Sequence, residues 1–182
     1  MGVDRLVLEQ VLTTPETRDV TRSPIVTAII LSDPANAADL VPALEPVGSN
    51  QSTNARRILC LFGAEAVPFL LGPLAAASAE LNKEAIEIMW AMFTGESRRT
   101  IRNTLAQVSD ELDVLLNDKR PLPDVPPETL ERDFFGRICD LAYTVLCYLD
   151  DPEYDRSLFR SMDNDERDVE IRRYRSQTLS LS

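Results

Sequence analysis

Residues 55–70 of this chain read ARRILCLFGAEAVPFL, and this stretch decides which fold the sequence encodes. It reads as the end of one helix, a tight turn and the start of a second helix. Gly63 suits the left-handed backbone conformation that commonly ends a helix. Pro68 falls in the first turn of the next helix, where its missing amide hydrogen removes no helical bond. The stretch therefore predicts a helical hairpin.

Helical periodicity also dominates the rest of the sequence. One apolar stripe repeats at intervals of four, three, four and three residues, and it consists of Ile101, Leu105, Val108, Leu112 and Leu115. A second stripe consists of Leu130, Phe134, Ile138, Leu141, Val145 and Leu149. Both have the spacing of a helix face that turns toward a core. Strand signals are weak, because no Asn-Gly or Asp-Gly hairpin turn occurs. The sequence therefore predicts an all-α fold.

Four pairs place a capping residue before a proline and so predict helix starts: Thr14-Pro15, Ser23-Pro24, Asp33-Pro34 and Asp151-Pro152. The predicted helices are 2–12, 15–21, 24–31, 34–46, 52–62, 65–77, 80–93, 97–117, 127–149, 152–161 and 165–178. The Pro-rich segment 118–126 is predicted to be a flexible joint. We expect a single helical-repeat domain over 1–182, with a frayed tail at 176–182.

Internal similarity suggests that the hairpin is reused. Residues 30–34 resemble 148–152, and residues 55–62 resemble 142–149. The segment Gly63-x-x-Ala66-Val67-Pro68-x-Leu70 resembles the inter-helix turn of the HEAT-repeat family, and a weaker second unit lies around 142–175. This resemblance implies antiparallel helical hairpins stacked as a short, irregular α-solenoid, or α-α superhelix, whose groove binds protein. The spacing between units is irregular, so an irregular helical bundle also fits.

Composition excludes several kinds of chemistry. The 182 residues include 19 Lys and Arg, 30 Asp and Glu and no His, which gives a formal net charge of −11. Without His there is no Ser-His-Asp triad, Cys-His dyad or His-ligated metal site. Three isolated cysteines, Cys60, Cys139 and Cys147, form no disulfide framework and are expected in the core. Nucleic acid is an unfavourable partner for so acidic a chain. No cofactor-binding motif occurs, so no cofactor is expected.

The expected location is the cytoplasm, with no membrane attachment. The charged N-terminus does not resemble a signal peptide. The longest uncharged run, 66–79, contains two prolines and is too short to cross a bilayer. Free thiols agree with a reducing compartment.

Dense carboxylates make 150–155 and 163–168 the candidate sites. Their members are Asp150, Asp151, Glu153, Asp155, Asp163, Asp165, Glu166 and Asp168. They could bind a divalent cation or dock a basic partner, but the calcium-loop template fails because position twelve is Tyr174. The simpler interpretation is helix capping, and Asp163 with Glu166 has capping-box spacing.

The leading hypothesis is a non-enzymatic protein–protein interaction module: an adaptor, a regulator or an immunity-type protein that binds a basic partner. One alternative is an enzyme that uses carboxylates alone, with a site near Asp150–Asp155 and one desolvated carboxylate. The other alternative is an obligate homo-oligomer with a structural role.

The short arginine runs at 56–57, 98–102 and 172–175 are expected to form surface ion pairs.

Overall fold

The computed structural model describes residues 4–15, 18–95, 98–123, 136–151 and 153–178. The regular backbone of these residues is helical, and the only β pairing within them is an isolated bridge between Pro121 and Arg137. The fold is therefore all-α, as predicted. The chain divides into two compact units, 1–108 and 109–182.

The described part of the first unit contains six α-helices and the start of a seventh. They are α1 Arg5–Leu12, α2 Pro24–Ser32, α3 Ala37–Leu40, α4 Asn50–Phe62, α5 Val67–Leu74, α6 Ala79–Gly95 and α7 Arg98–Leu115, which continues past the division. Short 3₁₀ helices lie at Val20–Arg22, Pro34–Asn36, Val41–Leu44 and Gly63–Ala66. The predicted helix 34–46 is therefore three short pieces, and no helix begins at Pro15.

Helix α4 is central to the first unit. It contacts α1, α2, α3 and α6. Its core-facing side chains Ile58, Leu59 and Phe62 are buried. The helix begins two residues earlier than predicted because Ser49 caps it: the Ser49 hydroxyl accepts the Ser52 N–H at 3.0 Å.

The turn after α4 contains the glycine and the proline from which the helical hairpin was predicted. Gly63 has φ 61° and ψ −145°, so the expected positive φ is confirmed, while ψ lies outside the left-handed helical region. Pro68 lies in the first turn of α5, as predicted.

By length and composition alone, Asn50–Leu74 could cross a membrane. Ile58, Leu59 and Leu70 of this segment are buried. Its apolar side chains therefore also contribute to a protein core.

The second unit contains the end of α7, then α8 Ile138–Asp150, α9 Ser157–Ser161 and α10 Asn164–Thr178. Helix α8 is buried over most of its circumference. Phe159 of α9 is 2% exposed and packs on Tyr143 of α8, with ring centroids 4.3 Å apart. The core of this unit thus lies between α8 and α9.

In the second unit, two predicted helices differ from the structure. The predicted helix 127–149 is not continuous: Arg137 is extended, and α8 begins at Ile138. The neighbours of Arg137 pair with the segment 120–122, and the Ile138 N–H donates to the Arg120 carbonyl at 3.1 Å. Residues 124–135 lie outside the described part, so the start at 127 stays a prediction. The helix expected from 152 begins at Ser157, because the Tyr154 N–H donates to the Asp151 carbonyl (2.8 Å) and closes a turn instead.

The predicted joint at 118–126 does not coincide with the division of the chain, which falls between Val108 and Ser109. Its described part, 118–123, includes the bridge to Arg137. In the predicted frayed tail, residues 176–178 belong to α10 and the remainder lies outside the described residues. A single domain over 1–182 stays a prediction.

Candidate interaction surface around α9

The turn between α8 and α9 carries four of the predicted carboxylates, and all four are exposed. Asp150 accepts the Tyr174 hydroxyl at 2.7 Å, and Asp151 accepts the Glu153 N–H at 3.0 Å. Asp155 begins α9 by accepting the N–H and the hydroxyl of Ser157, both at 2.8 Å. These two bonds lower the pKa of Asp155, whereas a carboxylate that serves as a general acid needs a raised pKa.

Three more exposed carboxylates lie where α10 begins: Asp163 precedes the helix, and Asp165 and Glu166 lie in its first turn. One Asp163 oxygen accepts the N–H groups of Asp165 and Glu166, both at 2.9 Å. The Glu166 carboxylate accepts the Asp163 N–H at 2.9 Å. The predicted capping box is confirmed, because this reciprocal pairing satisfies N–H groups that a helix start leaves unbonded.

We call the seven exposed carboxylates, together with Leu158, the α9 surface. Helix α9 has five residues and is therefore about 7.5 Å long, so the two acidic turns lie close together. Leu158, on the helix between them, is 68% exposed, while the next residue, Phe159, is buried. The α9 surface thus combines dense negative charge with an exposed apolar side chain.

Asp168, the eighth predicted residue, does not belong to this surface. Its side chain is 15% exposed, and its two oxygens bind Arg137 Nη1, at 2.7 Å, and Lys119 Nζ. Burial alone would raise the pKa of Asp168, but the bonds from Lys119 and Arg137 bring it below its ordinary value. Asp168 therefore belongs to an ion-pair network that lies beneath the α9 surface.

Asp140 is the centre of that network and is fully buried. Arg137 donates to both Asp140 oxygens, at 3.1 and 2.7 Å, and Arg167 Nη1 lies 3.4 Å from one of them. Arg167 is 1% exposed. It also donates to the carbonyls of Phe159, at 3.2 Å, and Arg160, at 2.7 Å, near the C-terminal end of α9. The network therefore connects α8, α9 and α10 from inside.

Sequence reasoning missed this network, although a signal was present. Asp140 is a lone carboxylate in the apolar run that opens α8, and Arg137 stands three residues before it. A charge on a helix buried over most of its circumference needs a buried partner. That argument predicts an ion pair, but it does not identify Arg167, which is 27 residues away.

The first unit holds a second buried carboxylate that the sequence analysis did not single out. Glu84 is 6% exposed, and Arg56 lies 3.5 Å from it and 2.9 Å from Glu87. Burial raises the pKa of Glu84, and the charge of Glu87 adds to that effect. Arg56, Arg173 and Arg175 therefore form ion pairs, as expected of the basic runs, but no described residue pairs with Arg172.

Cys139 and Cys147 are buried in the core, as predicted, whereas Cys60 is only partly buried. Burial raises the pKa of Cys139 to about 12 and that of Cys147 to about 11. Such thiols stay protonated at neutral pH and are poor nucleophiles. Among the described residues, no group of three His, Cys, Asp or Glu side chains is arranged to hold a metal ion.

The chain was compared with protein-family models, curated proteins and solved structures, and none of the three comparisons gives a match.

Proposed function

We propose that this protein is a non-enzymatic interaction module whose α9 surface binds a partner protein with a basic surface. The observation that carries the proposal is the exposure of seven carboxylates on the two turns that flank one five-residue helix. Such a concentration of one charge attracts an oppositely charged protein and speeds its association.

Rigid support beneath the surface favours the same function. Phe159 packs on Tyr143, and Arg167 holds the carbonyls at the end of α9. Four of the carboxylates, Asp151, Asp155, Asp163 and Glu166, also accept backbone N–H groups of their own turns, so the charges are held in place before a partner arrives. Preorganised groups lose little conformational entropy on binding.

Leu158 gives the proposed surface an apolar centre. Interfaces concentrate their binding energy in a few apolar or aromatic contacts inside a polar rim. A basic partner with an apolar side chain at its centre would match both features. The α-solenoid scaffold is part of this proposal, supported by the positive φ of Gly63 and the position of Pro68 in α5.

The test uses two variants with equal loss of charge. Asp151→Asn/Glu153→Gln/Asp165→Asn removes three charges from the α9 surface and keeps the shapes of the side chains. Asp39→Asn/Glu45→Gln/Glu65→Gln removes three exposed charges from the first unit. Each protein is immobilised, and the proteins that it retains from one cell extract are quantified at low and high salt.

We expect wild type and the first-unit variant to retain the same basic proteins, and the α9-surface variant to lose them. Salt should weaken retention, because the screening length falls from about 10 Å at 0.1 M to about 3 Å at 1 M. Leu158→Gln should weaken retention without changing its salt dependence. Equal retention by the two triple variants would contradict the proposal.

A further inference from the structure

A cleft of about 190 Å³ lies along α10 in the second unit. Its lining includes Asn117, Lys119, Asp168, Ile171, Arg172 and Arg175. Clefts that hold drug-sized ligands measure about 300–1,000 Å³, so this one suits a smaller group. The lining residues of α10 are Asp168, Ile171, Arg172 and Arg175, beyond the acidic first turn of that helix.

The cleft is positively charged inside an acidic unit. Residues 109–182 contain 10 Lys and Arg against 18 Asp and Glu, a formal charge of −8. Three lining residues are nevertheless cations, and Asp168 is the one carboxylate among the lining residues. Both Asp168 oxygens already accept from Arg137 and Lys119, so little of its negative charge is left uncompensated.

Several N–H donors at the cleft have no partner among the described residues. Arg172 is exposed, and no described residue pairs with its guanidinium. Arg175 uses one nitrogen on Asn117 (2.8 Å) and another near Asp113 (3.4 Å), which leaves further N–H groups. Lys119 uses one of its three donors on Asp168. Arg172 and Arg175 are three residues apart and share one face of α10.

We propose that this cleft binds a phosphate group, either as inorganic phosphate or at the end of a small organic phosphate. Arginine forks match the geometry of phosphate oxygens, and charge-assisted hydrogen bonds to an ionised acceptor are about twice as strong as neutral ones. Ile171, 4% exposed, gives the lining an apolar part that can contact the organic portion of a monoester. The proposal is independent of the α9 surface.

The test is a titration followed by amide NMR at pH 7.5, with inorganic phosphate and phenyl phosphate as probes and sodium chloride at equal ionic strength as the blank. Two variants lose the same charge from neighbouring positions. Arg172→Gln removes the unpaired cation of the cleft, whereas Arg173→Gln removes a cation that lies 3.7 Å from Glu170 and does not line the cleft.

We expect saturable shifts at Ile171, Arg172 and Arg175 with phosphate but not with chloride. Arg172→Gln should raise the Kd at least tenfold, and Arg173→Gln less than twofold. Tighter binding of phenyl phosphate would identify a monoester as the ligand, and equal binding would identify inorganic phosphate. A linear response, or equal weakening in both variants, would overturn the proposal.

Discussion

At the scale of single residues, Gly63 has a backbone conformation that favours glycine. Its φ of 61° with ψ of −145° lies in a region that residues with a Cβ rarely adopt. Gly72, on the exposed side of α5, has an ordinary φ and open space around the position of a Cβ. A substitution at Gly72 is therefore a suitable control for the same substitution at Gly63.

Gly63→Ala should lower the free energy of unfolding by about 1–3 kcal/mol, because alanine is strained in that conformation. Gly72→Ala should raise it by about 0.5–1 kcal/mol, because alanine loses less entropy in a helix. Urea denaturation measures both. Similar effects of the two substitutions would show that the turn after α4 does not require glycine.

Asp140 is the residue on which the buried network of the second unit depends. Asp140→Ala leaves Arg137 and Arg167 without their shared carboxylate, so we expect a loss of about 3–5 kcal/mol in the free energy of unfolding. Asp165→Asn, an exposed change in the same unit, should stay within about 0.5 kcal/mol. Chemical denaturation of both variants compares the loss of a buried charge with the loss of an exposed one.

At the scale of elements, buried polar side chains complete the C-terminal ends of four helices. Asn36 donates to Ile29 of α2, Asn54 to Leu12 at the end of α1, and Asn82 to Leu74 at the end of α5. Arg167 does the same for α9. The last carbonyls of a helix have no partner within it, so each such bond satisfies a group that burial would otherwise penalise.

Asn82 is the clearest case for a test of this arrangement. Its amide nitrogen donates to the carbonyls of Pro73, Leu74 and Ala76 at 3.1, 2.7 and 3.0 Å. Asn82→Ala should cost about 1–3 kcal/mol and increase hydrogen exchange at the end of α5. Asn164→Ala, an exposed change at the start of α10, is the control and should leave exchange in α5 unaltered.

The contact between the loop at 118–123 and α10 should make stability depend on pH. The pKa of Asp168 is lower in the folded protein, through Lys119 and Arg137, than the ordinary value of about 3.9. Its contribution is therefore complete above about pH 4 and is lost as pH falls through the folded pKa.

Urea denaturation between pH 2.5 and 7 measures this dependence. Asp168→Asn should be less stable than wild type at neutral pH, and the difference should shrink toward pH 2.5, since the wild-type carboxyl is then protonated too. A difference that stays constant with pH would show that Asp168 does not contribute as an ion.

The sequence predicts the type of each secondary-structure element better than the residues at which the element begins and ends, and the reason is physical. The stripes of α7 and α8 predict helices because burial follows a period of 3.6 residues. The start of α8 could not be predicted, because Arg137 is extended through its pairing with Pro121, sixteen residues earlier. Likewise, the acidic turns could be predicted from local capping rules, but Arg167 reaches Asp140 only after the helices have packed.

At the scale of the whole molecule, charge is distributed unevenly. The net charge of −11 falls mostly on residues 109–182, yet that same unit contains the cationic cleft beside α10. Composition predicts the average sign of the surface and the kind of partner that it attracts. It cannot predict a local reversal, which depends on which side chains the fold brings together.

The high net charge should also govern self-association. Copies of a chain with charge −11 repel one another at pH 7, and the repulsion disappears near the sequence pI of about 4.5. Light scattering should therefore show the least association near neutral pH and a rise as pH approaches 4.5. A stable oligomer at neutral pH and low salt would instead favour the homo-oligomeric alternative.

The bonds of Asn54 have a consequence for how the protein is made. Helix α1 ends at residue 12, but the Leu12 carbonyl accepts from Asn54, 42 residues later. The Thr14 carbonyl accepts from Asn50 and Asn54, 36 and 40 residues later. A chain leaving the ribosome adds about 5–20 residues each second, so α1 waits about 2–8 s for this partner. During that interval water must bond the end of α1, and the helix can be completed only when α4 emerges.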